Sequence, residues 1–128
     1  MVGGSITVLA SIVGQPSATT WYFNAQPLYT FLYKGNNSTG IALSRNDRIT
    51  FKQSGNPGDY IEEMKIDNAV FSDAGTYSLQ VIFLKGGFTQ RLINYELVVT
   101  GKIELVTNSF FYSIKISVFD NNHFSIYI

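Results

Sequence analysis

Residues 73–83, Asp73-Ala74-Gly75-Thr76-Tyr77-Ser78-Leu79-Gln80-Val81-Ile82-Phe83, decide the fold. Tyr77, Leu79, Val81 and Phe83 fall on one side of an extended chain, and Ser78, Gln80, Ile82 and Leu84 fall on the other. A period of two over this length describes a half-buried strand, with the first set inward. Gly75 relaxes the backbone where the chain enters the strand, because a residue without Cβ tolerates conformations closed to others. Asn68 to Ala74 reads as a helical-turn-like link leading into that corner.

The same alternation recurs on both sides of this strand. Ile6, Val8, Ala10 and Ile12 alternate with Thr7, Leu9 and Ser11, and Gly14 to Ser17 breaks the chain. Thr19 to Asn24 is extended around Trp21 and Phe23, Ala25-Gln26-Pro27 reads as a turn, and Leu28 to Lys34 is the next strand. Gly35 to Gly40 is a loop signal, Arg48 to Lys52 a short strand, and Ser54 to Gly58 a turn before Tyr60 to Ile66. After Phe83, Lys85-Gly86-Gly87 closes a hairpin onto Ile93, Tyr95, Leu97 and Val99. Many short strands with frequent turn signals predict an all-β antiparallel sandwich or barrel, and no stretch sustains a helical period.

Composition narrows the function. The 128 residues suit one domain and carry 9 basic and 9 acidic side chains with no long charge run, so nucleic-acid binding by a basic face is disfavoured. No apolar run is long enough to span a membrane, and no signal peptide precedes the first strand; a secreted form implies a fragment or a truncated gene model. Cysteine is absent, which removes thiol chemistry, cysteine-ligated metals and disulfides. His123 is the only histidine and sits in an apparent turn. Glu62 and Glu63 are adjacent and point to opposite faces of a strand, so they form no acid/base pair. With no glycine-rich phosphate loop and no nucleophile elbow either, neither an enzyme nor a cofactor site is expected.

Three features together resemble the immunoglobulin superfamily. Asp73-Ala74-Gly75-Thr76-Tyr77-Ser78-Leu79 matches the pattern Asp-x-Gly-x-Tyr-x-Cys, with Leu79 in the place of the second cysteine. Trp21 follows Ala10 by eleven residues, and Ala10 stands in the place of the first cysteine. Arg48-Ile49-Thr50-Phe51 resembles the start of strand D in variable-type domains, whose arginine pairs with the aspartate matching Asp73. The resemblance implies a Greek-key variable-type sandwich over residues 1–101, without the intersheet disulfide and with strand A truncated or missing. It also implies that the Tyr77 hydroxyl returns to the backbone at the corner between strands E and F, and that Trp21 fills the centre. As a partly exposed pair, Arg48 and Asp73 are expected to contribute about 0–1 kcal/mol. Leu28 to Lys34 and the segment before Arg48 supply strands C′ and C″.

Bridge-less domains of this kind occur at the amino termini of carcinoembryonic-antigen-related adhesion molecules and in SLAM-related receptors. Trp21-Tyr22 looks like the Trp-Tyr of the former, and Asp73 to Ile82 is similar to their Asp-Thr-Gly-Phe-Tyr-Thr-Leu-Gln-Val-Ile. The resemblance implies an extracellular, cell-surface adhesion or recognition receptor module. Its partner would be a protein, either a second copy or a related immunoglobulin-superfamily receptor, docked on the sheet face of strands G, F, C and C′. Alternation places Tyr22, Asn24, Gln80, Ile82, Leu84 and Leu92 on that face. The alternative is a structural spacer in a tandem immunoglobulin array. Asn36-Asn37-Ser38 and Asn37-Ser38-Thr39 are overlapping glycosylation sequons, which point to Asn36 or Asn37 as acceptor.

Residues 102–128 do not fit a single domain of this type. All 11 glycines lie at or before Gly101, and the tail has no Gly, Ala, Pro or Arg. Two readings stand. The tail is a β-hairpin, Phe110 to Phe119 against Phe124 to Ile128 around Asp120-Asn121-Asn122; or it is translated intron, since Gly101-Lys102 can be encoded by a splice-donor sequence. With strand A missing, strand B is expected to lie partly uncovered.

Overall fold

A computed structural model describes residues 5–84, 89–99, 103–108, 113–118 and 123–127, with side chains described for 5–84, 89–94, 96 and 97. The strands are β1 (Ser5–Gly14), β2 (Ala18–Phe23), β3 (Gln26–Lys34), β4 (Asn37–Ala42), β5 (Ile49–Asn56) and β6 (Gly58–Ile66). A 3-10 turn at Phe71–Asp73 leads to β7 (Gly75–Phe83) and β8 (Thr89–Val99), followed by β9 (Ile103–Asn108), β10 (Ser113–Val118) and β11 (His123–Tyr127). They form two sheets, one in the order β11-β1-β6-β5 and the other β10-β9-β8-β7-β2-β3-β4. In the letters used above, β1, β6 and β5 stand where strands B, E and D were expected, and β8, β7, β2, β3 and β4 where G, F, C, C′ and C″ were expected. Turns expected at 85–87 and 120–122, the boundary at 101 and the inward side chain of Tyr95 lie outside the described residues.

The core lies between the inward faces. Ile6, Val8, Ala10 and Ile12 of β1 and Tyr60, Met64 and Ile66 of β6 meet Trp21, Tyr77, Leu79, Val81 and Leu97 from the other sheet. The expected alternation therefore holds on both central strands, as burial of one face requires. Trp21 and Leu79 are fully buried, and the Trp21 ring packs against Phe51 at a centroid distance of 5.7 Å. Ala10 and Leu79, in the places of the two cysteines, are both part of this core.

The corner before β7 is built as expected. The Tyr77 hydroxyl donates to the carbonyl oxygen of Asp73 at 2.7 Å. A Cβ on Gly75 would lie 2.7 Å from both Asn24 Oδ1 and Phe23 Cε1, so close approach to the β2–β3 turn requires glycine there. The ion pair between Arg48 and Asp73 is present and forked. Arg48 Nη1 and Nη2 donate to Asp73 Oδ2 and Oδ1 at 2.6 and 2.7 Å, and the Val70 N–H donates to Oδ2 at 2.8 Å. Asp73 is buried, so this is a forked bond to a desolvated carboxylate and not a loose surface contact.

Several local expectations are corrected. The β2–β3 turn is Asn24-Ala25, with positive φ at both residues (48° and 67°), as a tight hairpin turn of the primed type demands. Gln26 and Pro27 belong to β3, where a register shift opposite Trp21 and Tyr22 absorbs the proline. Residues 35–40 are not a loop: a two-residue turn at Gly35-Asn36 leads directly into β4, which pairs with β3 from Asn37 to Ala42. The β-favouring Thr39 and Ile41 give that polar edge strand its propensity. His123 opens β11 and is not in a turn.

The tail pairs differently from the expected hairpin. β10 pairs antiparallel with β9, which itself extends the larger sheet beyond β8. β11 crosses to the other sheet and pairs parallel with β1, Ser5 opposite His123 through Leu9 opposite Tyr127. Strand β1 is therefore covered along its first half, and this one parallel pairing departs from the otherwise antiparallel arrangement. The physical reason is the edge itself: an unpaired row of N–H and C=O groups on β1 takes up the nearest extended segment.

Candidate protein-docking face

The outward face of the larger sheet is defined by strand register. Leu92, Gln80, Thr20, Thr30 and Ile41 lie in one row across β8, β7, β2, β3 and β4. Gln90, Ile82, Ala18, Leu32 and Thr39 form the next row. None of these ten positions is charged. Charge enters only toward opposite ends of the strands, with Lys34 opposite Asn37 beyond the second row and Glu96 opposite Thr76 beyond Asn94.

Five of the six residues expected on the face are placed there or at its margin. Gln80 and Ile82 are half-buried and adjoin Leu92, which is 58 % exposed. Tyr22 donates from its hydroxyl to Gln80 Oε1 at 3.1 Å. Leu84, also exposed, lies just past the end of β7, and its N–H reaches Ser17 Oγ at 3.3 Å. Asn24 is different. Its Oδ1 accepts the Thr76 N–H at 2.9 Å, and its own N–H donates to the Thr76 carbonyl at 2.7 Å, so it ties the β2–β3 turn to β7. The rest of the face, Thr20, Thr30, Leu32 and Ile41, was not singled out. The alternation of residues 28–34 contained it, but the pairing of β4 with β3 was hidden by reading 35–40 as loop.

Polar groups on this surface are largely bonded to one another. Gln80 Nε2 donates to Gln90 Oε1 at 3.0 Å, Ser78 Oγ to Asn94 Oδ1 at 2.6 Å, and Thr30 Oγ1 to the Thr19 carbonyl at 2.7 Å. Thr20 and Thr30 hydroxyls lie 3.0 Å apart. A polar group that keeps its hydrogen bond when covered adds little desolvation cost. Tyr22, Ala25, Ser78, Gln80 and Leu92 line a shallow depression of about 220 Å³ on this face.

Behind the face lies a buried carboxylate that the sequence reading passed over. Glu62 is fully buried, whereas Glu63 on the opposite side of β6 is half-exposed. Glu62 accepts from Trp21 Nε1 at 2.8 Å, from Thr19 Oγ1 at 2.5 Å and from the Tyr33 hydroxyl at 2.5 Å. Burial pushes its carboxyl above the ordinary carboxylate range, and the three donors pull it back. Burial and the neighbouring Glu62 push the Tyr33 hydroxyl well up, so it stays a donor. The arrangement ties β6 to β2 and β3 across the core. Tyr33, at its outer end, also lines a depression of about 380 Å³ with Gln15, Pro16, Ser17, Gly35 and Asn36, and no group of three potential metal ligands occurs among the described residues.

The sequon residues lie at the far corner of the face. Asn36 is in the β3–β4 turn and Asn37 opens β4, and both are exposed. Ser38 is turned toward the other sheet, its Oγ donating to Gln53 Oε1 at 2.7 Å, while Thr39 is exposed. No helix among the described residues is long and apolar enough to cross a membrane.

No family model matches the chain, and no curated protein sequence matches it. Among solved structures, a chain from work on multimeric cell-adhesive interactions of VGSC beta subunits superposes with a TM-score of 0.54 at 19 % identity, covering 71 % of this chain and 81 % of that one. The amphioxus IgVJ-C2 molecule aligns with a TM-score of 0.49 at 12 % identity, covering 95 % of this chain and 98 % of that one. Two facing sheets, a buried Trp21, a Tyr77 corner and the first of these superpositions agree: the chain has the immunoglobulin-like β-sandwich fold, in a form that holds its sheets together without a disulfide.

Proposed function

We propose that this is a variable-type adhesion or recognition domain of an extracellular, cell-surface protein, and that it binds a protein partner through the outward face of β8, β7, β2, β3 and β4. The observation that carries the reading is the ten-position surface without charge, three of whose members, Leu92, Leu32 and Ile41, are exposed apolar side chains. Interface cores are depleted of charge and rich in apolar area, and a monomer seldom presents such a surface without use for it. The lateral hydrogen bonds among its amides and hydroxyls favour the same reading, since they survive when a partner excludes water. The solved structure with the same fold was studied for cell-adhesive interactions, which agrees with the class. Carbohydrate on Asn36 would sit in the β3–β4 turn at one corner, whereas on Asn37 it would adjoin the end of the second row at Thr39. A binding role is proposed in preference to an enzymatic one, since no group of three potential metal ligands occurs among the described residues and the sequence carries no cysteine and a single histidine.

Sedimentation equilibrium of the full chain over a wide concentration range, beside Ile82→Asp, tests this. Self-association that the substitution abolishes identifies the partner as a second copy. A folded monomer at every concentration moves the partner to another receptor. If Ile82→Asp also leaves capture of every related cell-surface receptor unchanged, the domain is a spacer.

A further inference from the structure

We propose that Asn36 carries carbohydrate, and that its first sugar seats in the depression between the β1–β2 loop and the β3–β4 turn as a structural part of the domain. Asn36 itself lines that depression, together with Gln15, Pro16, Ser17, Tyr33 and Gly35, around a volume of about 380 Å³. Pockets that take a small molecule occupy about 300–1,000 Å³ and combine an apolar or aromatic wall with a few placed polar groups. Tyr33 and Pro16 supply the wall here, and Gln15 and Ser17 supply the polar groups. No charged side chain lines it. That chemistry suits a neutral, hydroxyl-rich ring with C–H faces, and Gln15 offers an amide to the acetamide of an N-acetylated sugar.

The aromatic wall is preset. The Tyr33 hydroxyl donates to Glu62 Oε2 at 2.5 Å, and its ring packs on Tyr60 at a centroid distance of 4.7 Å. Its N–H donates to the Ser17 carbonyl at 3.0 Å, which ties the two sides of the depression together. A ring already held in place loses little freedom when a sugar covers it. Gly35 takes φ 61° and Asn36 stays outside the left-handed region, the pattern of a two-residue hairpin turn with glycine first. A sugar linked to Asn36 Nδ2 is therefore held beside the depression at high effective concentration, without the cost of association that a free sugar meets. Asn37 is not equivalent. It shares a side of β4 with Thr39 and Ile41, so carbohydrate there would stand on the outward face of the larger sheet. The inference rests on the extracellular placement proposed above and not on the docking face.

The full chain is secreted behind a cleavable signal from cells that make oligomannose carbohydrate, and glycopeptide mass spectrometry identifies the acceptor. An endoglycosidase then trims the carbohydrate to a single N-acetylglucosamine. Thermal melting compares that protein with the sugar-free chain made in bacteria, each with and without Gln15→Ala. Asn36 is the expected acceptor. The sugar is expected to raise the melting temperature by about 3–5 °C in the wild type, and by less than about half as much in Gln15→Ala. Gln15 is exposed, so its loss alone leaves the fold intact. Carbohydrate on Asn37 alone, or on neither asparagine, overturns the proposal. So does a melting temperature that the sugar leaves unchanged, or a gain that Gln15→Ala does not reduce. None of these outcomes bears on docking, which the Ile82→Asp comparison reads separately.

Discussion

Trp21 Nε1 donates to Glu62 Oε1 at 2.8 Å, so the residue at the centre of the sandwich is anchored to the opposite sheet through a buried carboxylate. Glu62 stands opposite Ala10 in the β1–β6 register. In a domain with cysteines at the positions of Ala10 and Leu79, a covalent bridge would tie the sheets at this level. Here hydrogen bonds from β2 and β3 to Glu62 on β6 make that tie. Loss of a bridge costs such a domain about 2–5 kcal/mol, and a charge-assisted hydrogen bond returns about 1.5–3 kcal/mol.

Removing the carboxylate would leave three buried donors without an acceptor. Glu62→Ala is expected to lower stability by about 3–5 kcal/mol, the range for breaking a buried polar cluster from one side. Glu62→Gln keeps an acceptor for Trp21, and its amide can donate to the oxygens of Thr19 and Tyr33; it should cost far less. The two variants also differ with pH. The folded Glu62 binds its proton more tightly than the unfolded group, whose ordinary value is 4.5. Its contribution is therefore fully present below 4.5 and declines as pH rises through the folded value. Urea unfolding across that interval should show stability falling with pH in the wild type, and a flatter profile in Glu62→Gln.

Arg48→Ala would strand Asp73, whose side chain is 5 % exposed and would keep only the Val70 N–H and the surrounding dipoles. Arg48 itself is one-third exposed, so water would enter and soften the loss to about 1–3 kcal/mol. Arg48→Lys should fall between, because a single ammonium cannot reproduce the fork on both carboxylate oxygens. Thermal melts of the three proteins give the order. Equal melting temperatures would mean that the pair contributes nothing.

The β2–β3 turn yields two substitutions of opposite sign. Ala25 holds φ at 67°, a conformation that costs a residue with Cβ about 1 kcal/mol. Ala25→Gly should stabilise by about 0.5–1 kcal/mol despite the greater freedom of the unfolded chain. Gly75→Ala should do the reverse. Its methyl would press on Asn24 Oδ1 and Phe23 Cε1, breaking the bond from Thr76, and a loss of about 1–3 kcal/mol is expected. Chemical denaturation midpoints separate the two.

What could be read beforehand depended on whether a signal was local. Tyr77, Asp73 and Gly75 lie within five residues, and Trp21 and Arg48 carry side chains with few other uses in such a fold; each was placed correctly. The hairpin of β3 and β4 was missed because Gly35, Asn36 and Asn37 suggest a loop whether they make a two-residue turn or a long excursion. Glu62 was set aside because alternation says which side a residue faces, not whether three donors wait there. Those donors come from β2 and β3, about thirty to forty residues away in sequence. The parallel union of β11 with β1 joins opposite ends of the chain, and no local pattern encodes it.

Partner binding should follow the face and not exposure in general. Leu32 is 45 % exposed within the uncharged rows, beside Ala18 and Thr39. Val13 is 68 % exposed on β1, in the other sheet. Glutamate at either position removes a solvent-facing apolar side chain and should change folding stability by less than about 1 kcal/mol. On a docked face, Leu32→Glu puts a charge into rows that carry none, with Lys34 beyond the second row the nearest cation on that face, and affinity should fall by at least tenfold. Val13→Glu should leave binding within about twofold of wild type, since it adds charge where no contact is proposed. Sedimentation equilibrium reads both if the partner is a second copy; surface binding to the captured receptor reads both otherwise. Equal loss in the two variants would point to a general effect of added charge, and loss in Val13→Glu alone would move the interface to the smaller sheet.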